Sequence, residues 1–169
     1  MIVLGIDPGT ATTGYAILNI NDKTKKPTLL HASTLRTSQD NQMHIRLAQL
    51  HNQINEVLKT YNPNLMIIER LFFNTNAKTA MTVGQARGVI LLTAAIFGIP
   101  VEEYTALQAK KALSGYGRAD KKQMQEAVAQ FLGLPDIIKQ DDANDAAAMT
   151  ICYYKINYEE CKSFISKGK

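Results

Sequence analysis

The sequence predicts an α/β fold, a five-stranded mixed sheet covered by helices on both faces. Three observations predict it. The first third of the chain carries three strand-like segments joined by short links, which reads as an antiparallel meander. The apolar period then lengthens from that of strands to that of helices, and strands and helices alternate. Two of the strand-like runs, Ile2-Val3-Leu4 with Ile6 and Leu65-Met66-Ile67-Ile68, are apolar almost throughout, as in strands buried on both faces.

Met1 to Ile6 is the first of these runs, and Asp7-Pro8-Gly9 turns the chain after it. Gly14 to Ile20 and Thr28 to Arg36 are the next two strands, with the polar turn NDKTKKP between them. Leu47, Leu50, Ile54, Val57, Leu58 and Tyr61 then recur at helical spacing, so an amphipathic helix spans His44 to Tyr61, and Asn62-Pro63-Asn64 stops it. Leu65 to Ile68 is the fourth strand, closed by Glu69. A helix from Lys78 to Phe97 is apolar over much of its circumference and ends at Gly98-Ile99-Pro100. Val101 to Tyr104 is the fifth strand. Helices over Ala106 to Leu113, Lys121 to Leu132 and Asp142 to Tyr154 complete the order. A single domain over 1–155 and a loose tail over 156–169 are expected, with no repeat or linker.

The 169 residues suit one domain with one core. No apolar stretch reaches membrane-spanning length, since Thr93 and Gly98 break the longest. The N-terminus lacks the basic start and cleavage pattern of a signal peptide, so a cytoplasmic protein is expected. Cys152 and Cys161 form no Cys-x-x-Cys pair, which argues against zinc ligation and a disulfide framework. Net charge is +4, from 19 Lys and Arg against 15 Asp and Glu, a balance compatible with nucleic-acid binding.

The strongest chemical signal is where the acids fall. Asp7 and Glu69 each follow a doubly buried strand. If the helix from His44 to Tyr61 is a crossover, those strands are parallel neighbours with both carboxylates at their carboxyl ends, where open α/β sheets place ligands. Two acids held close repel each other unless a cation or proton intervenes. The last helix adds Asp141, Asp142 and Asp145; Asp145 shares a helix face with either of the others, and spacing leaves that choice open. Three or four converging carboxylates make a hard, oxygen-rich site suited to Mg²⁺ or Mn²⁺. Taken singly, each acid reads better as a turn residue, a loop residue or a helix cap; together, at three places that this topology brings to one edge, they favour a metal site.

The segments GIDPGTATTGYAI, IIERLFFNTNAKTAMTVGQARGV, GYGRADKKQMQEAVAQFLGL and DDANDAAAM, in this order and spacing, resemble the RuvC family of Holliday-junction endonucleases from Met1 to about Tyr154. The resemblance implies an RNase H-like fold and junction resolution in recombination and repair. It implies four metal-binding, catalytic acids, Asp7, Glu69, Asp142 and Asp145, and so favours Asp142 over Asp141. It also implies hydrolysis by two Mg²⁺ ions, with Mn²⁺ able to replace them, leaving a 5′-phosphate and a 3′-hydroxyl. Ions in such sites sit about 3.5–4 Å apart and need a bridging carboxylate, for which Asp7 is the choice.

Phe72-Phe73, on the loop after Glu69, are two adjacent aromatics suited to stacking on unpaired bases, with ordinary burial an equally good reading of Phe73; the resemblance makes Phe72 the base-contacting candidate. Lys110, Lys111, Arg118, Lys121 and Lys122 form the densest basic region, and the resemblance sets Lys110 and Lys121 against the substrate near the scissile phosphate, with Arg118 in the same DNA-binding region. Gly115 and Gly117 between them offer backbone amides to phosphates. Two symmetric cuts call for a two-fold homodimer, for which the apolar helix from Lys78 to Phe97 is the expected contact. A branch-migration motor is implied as a partner by analogy.

Three rivals make different demands. A phosphotransferase of the actin and sugar-kinase type shares GIDPGTATTG but needs a second domain and a second phosphate loop. A non-catalytic DNA-binding module would tolerate loss of an acid, and all four are present. A hybrid-cutting RNase H would lack the Gln85-Ala86-Arg87-Gly88 segment and the Phe72 loop.

Overall fold

The computed structural model describes residues 1–70, 77–115 and 117–160. Its sheet has five strands: β1 (Ile2–Asp7), β2 (Thr12–Ile20), β3 (Pro27–Arg36), β4 (Leu65–Glu69) and β5 (Val101–Tyr104). Their order is β3-β2-β1-β4-β5. The meander β1-β2-β3 is antiparallel, whereas β4 runs parallel to β1 and to β5. Five helices surround the sheet: α1 (Met43–Tyr61), α2 (Ala77–Ile96), α3 (Ala106–Ser114), α4 (Lys121–Leu132) and α5 (Asp141–Tyr154). Every expected element is present, and no end is displaced by more than two residues.

Side-chain alternation assigns the helices to two layers. Leu4 and Ile6 of β1, Tyr15 and Ile17 of β2, and Met66 and Ile68 of β4 point to one face, where they meet Leu50, Ile54 and Leu58 of α1 and Ala86, Ile90 and Ala94 of α2. Val3, Ala16, Leu18, Leu65 and Ile67 point to the other, against α3, α4 and α5. The same parity puts Asp7 and Glu69 on the α5 side, since each lies two residues beyond a side chain or glycine that faces α5. A register shift between β2 and β3 at Ile17/Leu18 passes over Leu30, which is left half exposed.

Helix α5 lies unusually close to the sheet, because glycine and alanine meet at the contact. A Cβ on Gly5 would stand 2.2 Å from the Ala146 carbonyl oxygen, and one on Gly14 would stand 1.9 Å from that of Asp142. Gly14 pairs directly with Asp7 across β1 and β2. The two glycines therefore let the first turns of α5 rest on the end of β1 where Asp7 is.

Helix α2 behaves differently. Ala86, Ile90, Thr93 and Ala94 are buried, while Met81, Leu92 and Ile96, with Phe97 just beyond the helix, are exposed. Its inner face is tied to α1 by a 2.8 Å contact between His51 Nδ1 and Thr93 Oγ1, so His51 has a structural place in the helix layer. After α5 the chain continues in a π-helical turn over Lys155–Glu160. Tyr158 there stacks on Tyr154 and meets Tyr153 edge-on, so packed chain extends past the expected boundary at 155. The aromatic contacts supply the reason: Tyr158 joins the Tyr153 and Tyr154 side of the core. No helix among the described residues is long and apolar enough to cross a membrane.

Candidate active site

The register between β1 and β4 runs from Val3↔Leu65 to Ile6↔Ile68, and one further step sets Asp7 beside Glu69. Their carboxyl groups face each other closely, and two such groups repel unless a proton or cation lies between them. Asp7 holds such a proton. Burial first, then Glu69, Asp145 and Asp142, raise its pKa from 3.8 to about 8. Glu69 is also raised by burial, against a lowering by its contact with Asp7.

Asp142 and Asp145 come from α5, which begins after Gln140. Gln140 makes no side-chain cap, and Asp141 and Asp142 lie within the first turn. Neither acid caps the helix, although both favour its N-terminal dipole. Asp145, at the open rim, is raised to about 6 by partial burial, then by Glu69, Asp142 and Asp141, with Lys110 opposing. Asp142 acts on both Asp7 and Asp145, whereas Asp141 does not figure among the charges that raise Asp7. Asp141 instead accepts from Lys121 Nζ at 2.5 Å and from Gln125 Nε2 at 3.1 Å. It fastens α4 to the start of α5, a part spacing alone left open.

The loop after β1 is held by hydroxyls. Thr13 Oγ1 donates to the Gly9 carbonyl at 2.6 Å, Thr37 Oγ1 to the Thr10 carbonyl at 2.6 Å, and Thr10 Oγ1 to the Thr82 carbonyl at 2.8 Å. Behind Glu69, on the α2 side, Arg87 Nε donates to the Glu69 carbonyl at 3.3 Å and Nη2 to Glu103 Oε1. Periodicity gave no warning of this brace, because its partners lie on three different elements. The signal available was the Arg87 in the Gln85–Gly88 segment.

The basic residues divide. Lys110 of α3 lines a hollow of about 160 Å³ together with Glu69, Asp145, Ala109, Met124 and Met149, so it faces the acids. Lys121 opens α4 at the rim, exposed and paired with Asp141. Arg118 is exposed on the loop between α3 and α4. Phe72 lies outside the described residues. A larger hollow, about 420 Å³, opens on the other side of α3 between Lys111 and Lys155 and contains none of the four converging acids. The expectation that Gly115 offers its amide to phosphates is corrected: Gly115 caps α3 at φ 77°, and its N–H is bonded to the Lys111 carbonyl. Gly117 is small for another reason, since a Cβ there would meet Leu107 Cδ1 at 2.4 Å. Both helices bearing the basic residues start with capping boxes, Thr105 with Gln108 and Asp120 with Gln123, which fix where Lys110 and Lys121 begin.

Among the described residues no three acids, histidines or cysteines are gathered into a ready-made ligand set. What the site has is an all-carboxylate donor set from three elements and a proton affinity at Asp7 far above that of a free aspartate. Positive charge is what such a cluster lacks. A proton supplies it in the metal-free protein, and a hard divalent cation, favoured by oxygen donors, supplies it equally well. The residues present fit a divalent metal.

The family model described as crossover junction endodeoxyribonuclease RuvC matches residues 3–153. The crossover junction endodeoxyribonuclease RuvC of Desulforamulus reducens is 48% identical over 153 residues, covering 90% of this chain and 93% of that one. Among solved structures, Thermus thermophilus RuvC superposes with a TM-score of 0.83 at 31% identity, covering 94% of this chain and 97% of the other. The T. thermophilus RuvC complex with a Holliday junction substrate gives 0.81 at 29% identity, covering 92% and 95%.

Proposed function

This chain belongs to the RuvC family of crossover junction endodeoxyribonucleases, and we propose that it resolves four-way DNA junctions in recombination and repair by paired symmetric nicks. The observation that carries the reading is the convergence of Asp7, Glu69, Asp142 and Asp145 at one sheet edge, with Asp7 raised to about 8. Asp7, Glu69, Asp142 and Asp145 would hold two Mg²⁺ ions, or Mn²⁺ in their place, and these supply when bound an acidified water for in-line attack and charge for the leaving 3′ oxygen.

The protein's own part is to hold and aim. Gly5 and Gly14 let α5 carry Asp142 and Asp145 onto the end of β1. Asp7, raised by all three of the other acids, would be shared by the ions, and the proton that it holds in their absence would be the one they displace. Lys110 places a cation in the hollow beside Glu69 and Asp145, where a phosphate next to the acids meets it. Arg118 and Lys121 extend positive charge along the rim for the phosphate backbone, and Lys121 must exchange Asp141 for phosphate. Phe72, by its place in the chain after Glu69, is assigned to base contact. The products are a 5′-phosphate and a 3′-hydroxyl.

The exposed stripe of Met81, Leu92, Ile96 and Phe97 supports α2 as the contact of a two-fold homodimer, which supplies two cuts from one assembly. By family analogy the dimer works in the cytoplasm beside a branch-migration motor.

The test is cleavage of a synthetic mobile four-way junction in Mg²⁺, with duplex and RNA–DNA hybrid as controls, for wild type and Glu69→Gln. The expected result is symmetric nicks in the junction alone, reduced at least about 10²–10³-fold in the variant while junction binding persists. Wild-type binding without cutting identifies a binding module, and preferential cutting of the hybrid rejects the junction as substrate.

A further inference from the structure

The four acids leave one nearby charge without a part. Arg87 lies on α2, behind the sheet from the side chains of Asp7 and Glu69, and its side chain is only 20% exposed. Its Nε donates to the backbone carbonyl of Glu69 at 3.3 Å, and its Nη2 to Glu103 Oε1. The other Glu103 oxygen accepts from Arg70 Nε at 3.2 Å, and the Arg70 N–H donates to the Tyr104 carbonyl at 2.7 Å. One ionic cluster thus holds Glu69 through its carbonyl and Arg70 through its side chain, while the Arg70 amide is held by the Tyr104 carbonyl.

A cation so near an acidic site works against metal binding unless something cancels it. Here Glu103 does so, and Arg87 is not among the groups that shift Asp7, Glu69 or Asp145. Its contribution is geometric. The planar guanidinium donates in two fixed directions at once, which an ammonium does not. The Glu69 carbonyl lies at the last residue of its strand, and the peptide that leaves it is held at both ends, by the Arg70 N–H on the Tyr104 carbonyl and by Arg87 on the Glu69 carbonyl. Rotation there would swing the carboxylate away from Asp7.

We propose that Arg87, braced by Glu103, is a positioning residue that holds the end of β4 so that the Glu69 carboxylate stays beside Asp7 in metal-binding register. The inference rests on the reading of the four acids given above, and it concerns an element outside their carboxylates.

The experiment is a calorimetric Mn²⁺ titration without DNA, with urea unfolding and single-turnover junction cleavage alongside. The variants are Arg87→Lys, Arg87→Met, and Arg87→Met combined with Glu103→Gln. Loss of a group that orients a metal ligand typically weakens metal affinity by about 10–100-fold. Arg87→Met is expected in that range and Arg87→Lys near its lower end, with junction affinity in metal-free buffer within about twofold of wild type. Arg87→Met also leaves the Glu103 carboxylate with Arg70 as its partner in place of two arginines, which lowers stability. The double variant removes that charge, so stability is expected to recover while Mn²⁺ affinity stays weak. A merely structural role restores both together, and that result, or an Arg87→Met protein binding Mn²⁺ within twofold of wild type, overturns the proposal. A wild type that binds Mn²⁺ without cutting junctions rejects the junction reading alone, and the titration still decides the role of Arg87. A wild type that binds no divalent ion overturns both.

Discussion

The two faces of the sheet hold the acids by different means. On the α5 face, backbone meets backbone: Gly5 and Gly14 admit Ala146 and Asp142 at distances no larger side chain tolerates. On the α2 face the distances are larger and the ties are polar, through Thr10 to Thr82 and through Arg87 to Glu69 and Glu103. A Cβ on Gly5 or Gly14 runs into main chain, whereas one on Gly84 or Gly88 of α2 meets nothing within 4 Å. The α5 face thus sets position by contact and leaves little room for adjustment. The α2 face sets it through side-chain bonds and leaves an apolar exterior available to a second copy.

Breaking the contact face has the largest expected effect. Gly5→Ala or Gly14→Ala pushes α5 off β1 and carries Asp142 and Asp145 with it. Overpacking of this kind costs about 1–3 kcal/mol, and more where the obstacle is main chain. Urea unfolding should show that loss, and junction cleavage should fall beyond what residual unfolding accounts for. Gly88→Ala on the other face should be neutral in the same unfolding assay or gain up to about 1 kcal/mol from helix propensity. Equal losses at Gly5 and Gly88 would erase the distinction between the faces.

The second prediction concerns the charge gathered at the contact face. Asp7 has its pKa raised from 3.8 to about 8 in the folded metal-free protein, and Asp145 from 3.8 to about 6. The folded state therefore holds these protons more tightly than the unfolded chain. Their contribution to stability is complete below about pH 4 and is lost as pH rises, through about 6 for Asp145 and about 8 for Asp7. In chelator, these groups should remove a few kcal/mol of stability between acid and mildly alkaline pH. Asp7→Asn should flatten most of that slope, and saturating Mg²⁺ should offset it at alkaline pH. An identical slope in wild type and Asp7→Asn would reject the assignment of the proton to Asp7.

The smallest effect on the protomer is expected on the outer side of α2. Leu92→Ser with Ile96→Ser changes exposed side chains, so unfolding of the monomer should move by no more than about 0.5 kcal/mol per site. Sedimentation should nevertheless show a shift from dimer to monomer, and junctions should receive single rather than paired nicks. A dimer that persists unchanged would move the contact off this stripe.

Much of this was legible beforehand, because it follows from local pattern. The runs Ile2–Ile6 and Leu65–Ile68 announce doubly buried strands, and each ends in an acid at the same end of a parallel pair. The convergence of Asp7 with Glu69 was accessible for that reason. Less accessible was the choice between Asp141 and Asp142. Adjacent helical residues point about 100° apart, and sequence spacing does not say which way the helix is rolled.

By itself, then, the sequence determined the strands, the helices, their order and the acids at the strand ends, since these depend on side-chain period and neighbouring residues. Tertiary structure decided the rest. It rolled α5 so that Asp142 acts on Asp7 while Asp141 pairs with Lys121 and Gln125. It brought Arg87 to Glu103 across 16 residues and to Glu69 across 18. It also split α2 into a buried side and an exposed apolar side that its composition does not separate. The physical reason is common to all three: helix rotation and long-range ion pairs depend on what lies opposite, and that is known only once the sheet has assembled.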